Sequence, residues 1–177
     1  MLLAALCVPS ARASAAGACL NQWACEAIGL EAAGDAPLYP VRVALIDTGV
    51  TPAAVPGLPL APGRNYVFPD GDTEDRIGHG TRLAGIIAGA ARAESRVDGV
   101  APGAVIVPLV YQSAHSGGVR QNAGTPALAQ AIRDAVDVYG CRVINISAGQ
   151  RRPDDALRDA VAHAEARGAI VVAAAGN

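Results

Sequence analysis

An α/β fold with a mainly parallel sheet flanked by helices is what this sequence predicts, on three observations. From Val41 onward, apolar runs of strand length alternate with stretches of helical periodicity. Hydrophobic residues make up 51% of the 177 residues against 17% charged, which suits a chain with a large buried core and excludes a disordered one. Aromatic residues make up only 3%, so that core is Ala, Val, Ile and Leu, the filling of strands buried on both faces rather than of a base-stacking surface.

Four strands are expected, at residues 41–47, 104–111, 142–147 and 169–174. The first helix follows His79, with Leu83, Ile86, Ile87 and Ala90 facing inward. Gly85 inside it costs about 1 kcal/mol relative to Ala, so a close backbone approach is expected there. The second helix starts at Thr125 and Pro126, an N-cap and a first-turn proline, and closes at Gly140; Leu128, Ile132, Ala135 and Val138 or Tyr139 form its apolar face. A third opens at Pro153, Asp154 and Asp155, where carboxylates complement the positive end of the helix dipole. Leu157, Val161 and Ala164 line it and Gly168 stops it. Residues 52–69, rich in Pro and Gly, and 113–124, rich in Ser, Gly, Gln and Asn, read as loops too short to link separate domains.

The N-terminal residues read differently. Leu2 to Val8 is a short apolar run followed by small-residue sites at Ala11-Arg12-Ala13 and Ser14-Ala15-Ala16, which divides the chain into a signal peptide at 1–18, an extension at 19–40 and the α/β region at 41–177. Neither this run nor Ala169 to Ala175 is long enough to span a bilayer. Export implies a secreted or periplasmic destination, where a local disulfide between Cys19 and Cys25 would staple the extension. Cys141 is left unpaired at the start of a strand, as a small hydrophobe, and the cysteine spacing fits no zinc motif. With Lys+Arg 14 against Asp+Glu 16, the net charge of -2 supplies no field that would gather nucleic acid or an anionic membrane.

Three residues at the ends of these elements are candidates for chemistry. Asp47 closes the first strand ahead of Thr-Gly, at the carboxyl edge of a parallel sheet, where open α/β folds bind ligands; the alternative is an Asp that caps a turn. His79 stands between Gly78 and Gly80 at the start of a helix, where absent side chains let substrate and backbone come close to the imidazole. Its alternatives are a buried structural histidine or a metal ligand, and a ligand would want a partner at helical spacing where Arg82 and Leu83 stand. Asn177 follows a strand of small residues and Gly176, which aims its amide from the same edge, unless it is an ordinary turn residue. Asp70, Asp72, Glu74 and Asp75 fail the EF-hand pattern, with Asp75 in the place of its Gly and Thr81 in that of its Glu, and read as a solvated acidic loop. His115 and His163 read as solvated, and no Gly-x-Gly-x-x-G or Walker motif supports nucleotide binding.

Val43 to Gly49, Gly78 to Gly85 and Val171 to Asn177 resemble, in that order, the aspartate, histidine and oxyanion-hole segments of the subtilisin-like serine proteases, the subtilases or peptidase S8 family. Val100-Ala101-Pro102 and Ile144 to Gly149 resemble two further segments of that family, and the likeness covers about Val41 to Asn177. It implies a subtilisin-like three-layer fold and a serine endopeptidase in which Asp47 orients His79, His79 deprotonates a serine and Asn177 binds the oxyanion. It also implies a peptide or protein substrate laid in as an added strand, between main-chain groups of Ser147, Ala148 and Gly149 on one side and Gly117 and Gly118 on the other. No cofactor is implied with a clear motif, although many subtilases bind calcium.

The departures are as informative. Arg82 takes the place of the histidine common after Gly-His-Gly-Thr. A Gly-Thr-Ser-x-Ala motif is nowhere in the chain, and Ser95, Ser113, Ser116 and Ser147 all lack its context. The expectation is therefore the N-terminal portion of a catalytic domain with its C-terminal part missing, inactive alone and poorly soluble because one face of the sheet and helices stays bare. The competing expectation is a truncated pseudo-protease that binds extended peptides without cutting them.

Overall fold

The computed structural model describes residues 22–33, 40–89, 99–114, 118–149 and 152–176. In chain order these form α1 (Gln22–Ala27), β1 (Arg42–Asp47), β2 (Arg64–Asn65), α2 (His79–Ala88), β3 (Val105–Val110), β4 (Gln112–Ala114), β5 (Arg120–Asn122), α3 (Gly124–Asp137), β6 (Val143–Ile146), α4 (Asp155–Ala166) and β7 (Ile170–Ala173), with 3-10 turns at Leu30–Ala33 and Pro52–Ala54. The expected signal peptide, Cys19, Ala90, His115, Gly117 and Asn177 lie outside the described residues.

Five strands pair in parallel in the order β2-β3-β1-β6-β7. The four expected strands are β1, β3, β6 and β7. From the central β1 the chain builds outward through β2 and β3 on one side, then crosses back to add β6 and β7 on the other. That reversal makes the carboxyl end of β1 a switch point, where the connections on either side part and leave a crevice.

Alternation along β1 sorts the layers, because residues two apart share a face. Ala44 and Ile46 face α3 and α4 and pack with Val107, Leu109, Ile132, Ala135, Ile144 and Ala160. Val43 and Leu45 face the opposite way, toward Ala84 and Ala88 of α2 and Ile106 of β3. Leu45, Ile46, Ile106, Leu109, Ile132 and Ile144 are fully buried, each contributing about 1.5–3 kcal/mol of hydrophobic stabilisation. The same alternation aims the next residue of the Val43, Leu45 series, Asp47, to the side of α2.

The helices differ from expectation in detail. The buried arc of α2 is Thr81, Ala84, Gly85 and Ala88, an i, i+3, i+4, i+7 series from which Ile86 falls away to 53% exposure. Gly85 is not a point of close backbone approach, since a Cβ there would meet only a Val55 methyl at 3.8 Å. Helix α3 begins at Gly124, before Thr125, with no side-chain cap. Tyr139 rather than Val138 completes its apolar face, Val138 being 66% exposed. Helix α4 is capped as expected, with Asp154 Oδ1 accepting from Leu157 N at 3.0 Å. His163 is partnered rather than solvated: its Nε2 lies 2.8 Å from Asp137 Oδ2 and its Nδ1 3.1 Å from Arg167 Nη1, tying α4 to α3. Within the stretch expected to be loop, β4 and β5 form a hairpin whose exposed Arg120, Gln121 and Asn122 hide the strand signal.

The two sheet edges are unlike. In β3, Val105 and Tyr111 donate to carbonyls of the β1 side, whereas Ile106 donates outward to Pro59 and accepts from Ala61. Pro108 shares the outward phase of Ile106 and has no N–H, and there the edge is interrupted between the bridge at Leu60 and the short β2. At the other edge β7 runs unbroken, with Val171 packed against the α3 and α4 layer. On its opposite face Ile170 and Val172 are 63% and 50% exposed, because α2 packs over β1 and β3 and does not extend so far. Among the described residues, no helix is long and apolar enough to cross a membrane.

Cys25 is disulfide-bonded, and Cys141 is a free thiol 2% exposed among the residues under α3 and α4. Burial pushes the Cys141 thiol up to about 11, against a smaller opposing pull from Arg42. At neutral pH it is therefore both covered and protonated. Maleimide treatment followed by peptide mapping should leave Cys141 unmodified in the folded chain and modify it fully in denaturant. Native modification would contradict its placement.

Candidate active site

β1 and α2 deliver one side chain each to a single point. The Asp47 side chain is 3% exposed, and a carboxylate in that setting must be hydrogen-bonded. Its Oδ1 accepts from Thr48 N at 2.8 Å and lies 2.7 Å from His79 Nδ1, across 32 residues of sequence. An ionised carboxylate can only accept, so Nδ1 carries the proton and Nε2 is left as the basic nitrogen. The imidazole is 47% exposed, so it is held on one side by a buried anion while remaining open to solvent. That arrangement can act as a general base with a fixed tautomer.

Glycines allow the approach. A methyl group on Gly80 would run into the Gly49 carbonyl oxygen and stand 3.2 Å from Asp47 Oδ1. Gly78 caps α2 in the left-handed region at φ 91°, which turns the incoming loop sharply enough to start the helix at the histidine.

Behind the pair stands a set of bonds that the motifs did not reveal. Asp75 Oδ1 accepts from Thr48 Oγ1 at 2.8 Å, Ile77 N at 2.9 Å and Gly78 N at 2.6 Å. Its Oδ2 accepts from Thr81 N at 2.9 Å and Thr81 Oγ1 at 2.7 Å. Thr48 Oγ1 in turn accepts from Gly80 N at 2.8 Å. The acidic stretch is thus not uniformly solvated: Asp72 is exposed and pairs with Arg76 at 2.8 Å, but Asp75 is an anchor. Burial alone would raise the Asp75 carboxyl, yet the bonds from Thr81, Gly78 and Ile77 outweigh it and hold the group below the ordinary carboxylate range. A carboxylate just ahead of a helix start is a capping signal, but Asp75 lies too far upstream for an ordinary N-cap. Only the turn at Gly78 brings it back.

The other candidates lie along the same edge. Ile46 registers with Ile146, so Ser147, Ala148 and Gly149 leave the sheet on one side of Asp47, with Ser147 and Gly149 exposed and Ala148 half-buried. On the other side Asp47 registers with Val110, and β3 leads into the β4 and β5 hairpin, where Gly118 has φ 76°. β7 ends at this edge too, as Ile146 registers with Ala173. Among the described residues, no group of three or more His, Cys, Asp or Glu is placed to hold a metal ion.

Comparison with known proteins identifies the family. Residues 40–177 match the sequence model of the Subtilase family, Peptidase_S8. Mycosin-4 of Mycobacterium tuberculosis is 41% identical over 150 residues, covering 77% of this chain and 32% of that protein. Subtilisin Savinase of Lederbergia lenta is 36% identical over 137 residues, covering 77% of this chain and 48% of that one. The crystal structure of MycP1 from Mycobacterium smegmatis superposes with a TM-score of 0.68 at 31% identity, over 88% of this chain and 45% of that one. The chain thus spans between about a third and a half of the length of these relatives.

Two glycines of α2 should respond in opposite directions. Gly85→Ala should raise the urea midpoint, gaining up to about 1 kcal/mol of helix propensity with no clash. Gly80→Ala should lower it through a stability loss of about 1–3 kcal/mol, since the methyl meets backbone and not a movable side chain. Asp75 carries a pH signature. Its folded carboxyl titrates below the unfolded one, so its stabilisation is complete above the ordinary carboxylate range and is lost as pH falls through the depressed folded value. The stability gap between wild type and Asp75→Asn, measured by denaturant titration, should therefore be full near neutrality and close in acid.

Proposed function

The chain belongs to the subtilase family, and on that footing we propose that it carries the acid–base part of a serine endopeptidase site. His79 Nε2 takes the proton of a serine hydroxyl as that oxygen attacks a peptide carbonyl, and then returns it to the leaving amine. Asp47 holds the Nδ1 proton and stabilises the imidazolium between the two transfers. Asn177 donates to the oxyanion, a contribution of about 3 kcal/mol in the family's own subtilisin, the source of that figure. An extended peptide lies between Ser147, Ala148 and Gly149 and the segment of Gly117 and Gly118, bonded by backbone as an added strand. The observation that carries this reading is the 2.7 Å contact between His79 Nδ1 and the buried Asp47 carboxylate.

Among the described residues, neither serine is placed to serve His79. Ser113 is 2% exposed, and Ser147 Oγ accepts from Asn145 Nδ2 at 3.2 Å beyond the end of β6. Alone, the chain does not turn over; losing the serine of such a triad costs about a millionfold in subtilisin, again the source of the figure. Export to an oxidising compartment fits the apolar run at Leu2 to Val8 and the disulfide at Cys25.

A serine-directed fluorophosphonate tests the proposal. The 177-residue chain should not be labelled, while a version continued through a subtilase Gly-Thr-Ser segment should be, and His79→Ala in that version should slow labelling by orders of magnitude. Labelling of the short chain, or of the His79→Ala version at an undiminished rate, would refute it.

A further inference from the structure

Asp47 and His79 sit on different elements, and one hydrogen bond to a half-exposed imidazole is a slender means of fixing their relative placement. Beside the apolar packing of α2 on β1, the hydrogen bonds that hold the two backbones together converge on one carboxylate. Thr48, next to Asp47, donates its hydroxyl to Asp75 and accepts from Gly80 N, next to His79. Gly78 N, on the other side of His79, donates to the same Asp75 oxygen, and Thr81 donates to the second oxygen through both its amide and its hydroxyl. Thr81 Oγ1 also accepts from Thr51 N at 3.0 Å, which ties the segment after β1 to α2 a second time. The chain neighbours of both members of the pair are therefore bonded to Asp75, directly or through one hydroxyl.

Resting on the peptidase reading above, we propose that Asp75 is a positioning residue, which joins the end of β1 to the start of α2 and so sets His79 Nδ1 against Asp47. It touches neither substrate nor reacting atoms. Its two oxygens meet only donors, three of them main-chain N–H groups that cannot turn away. An asparagine of the same size would have to place its NH2 against one of those sets, leaving donor facing donor. Thr48 is the bridge: a valine there keeps the shape but removes both the bond to Asp75 and the acceptor for Gly80 N, whereas a serine keeps both.

The test reads the tautomer of His79 rather than stability. With only three histidines in the chain, imidazole nitrogen-15 spectra at neutral pH can be assigned for wild type, Asp75→Asn, Thr48→Val, Thr48→Ser, Asp47→Asn and Asp72→Asn. Wild type, Thr48→Ser and Asp72→Asn, the last at an exposed carboxylate paired to Arg76, should show one His79 species protonated at Nδ1. Asp75→Asn and Thr48→Val should lose that single species to a mixture of both tautomers, while retaining a dispersed backbone amide spectrum. Should Asp75→Asn fail to fold, Thr48→Val carries the same comparison. A folded Asp75→Asn or Thr48→Val with an unaltered His79 spectrum would overturn the positioning role and leave the pair intact. An unaltered spectrum in Asp47→Asn would instead overturn the pair itself.

Discussion

A carboxylate buried at the end of the central strand has to be met by donors, and much of the structure around it follows from that need. Asp47 is almost wholly removed from water, and a charge so placed and left unpaired would be destabilising by several kcal/mol. Thr48 N supplies one donor at no conformational cost, being the next amide in the chain. The other must come from a distant side chain, so the helix that bears His79 has to begin at the sheet edge rather than beyond it. A bare Gly80 and a left-handed turn at Gly78 are the conditions for the approach, and the Asp75 cap satisfies the amides that a helix start leaves open.

Topology explains why this point also faces open space. β1 comes first in the sheet and lies at its centre, with later strands added to both sides. Connections leaving the carboxyl ends of β3 and β6 diverge from one another across β1. The end of β1 is thus flanked by two segments; Asp47 itself is buried there, and the exposed member of the pair is the half-exposed His79 imidazole. A strand end places Asp47, a helix terminus places His79, and the segments that follow β3 and β6 border them.

Much of this was legible in the sequence, for physical reasons that also mark where legibility stopped. Strands of this sheet write themselves as apolar runs, and β1, β3, β6 and β7 were found within a residue of their ends, β7 despite its largely exposed edge position. The acid and the histidine could be read because each sits at a punctuated boundary, Asp-Thr-Gly and Gly-His-Gly, where composition shifts abruptly. Asp75 could not be separated from Asp70, Asp72 and Glu74, since what distinguishes it is a fold-back at Gly78 and partners on another element. The role expected of Gly85 failed for a similar reason. Whether Gly80 or Gly85 is indispensable depends on what faces it, and only Gly80 faces a carbonyl. The β4 and β5 hairpin escaped notice because β5 is exposed and polar and β4 buries only a serine, so neither has a hydrophobic alternation to betray it.

The unlike edges of the sheet have a consequence for assembly. On the β3 side, a proline and a two-residue partner offer an incoming extended segment almost nothing to match. On the β7 side, Ile170 N and Ala174 N bond inward to β6, which by alternation turns the amides of Val171 and Ala173 outward along an uncharged ribbon. Among the described residues, the two edges of the five-stranded sheet therefore differ as templates for strand addition, β7 presenting its outward amides and β3 very little.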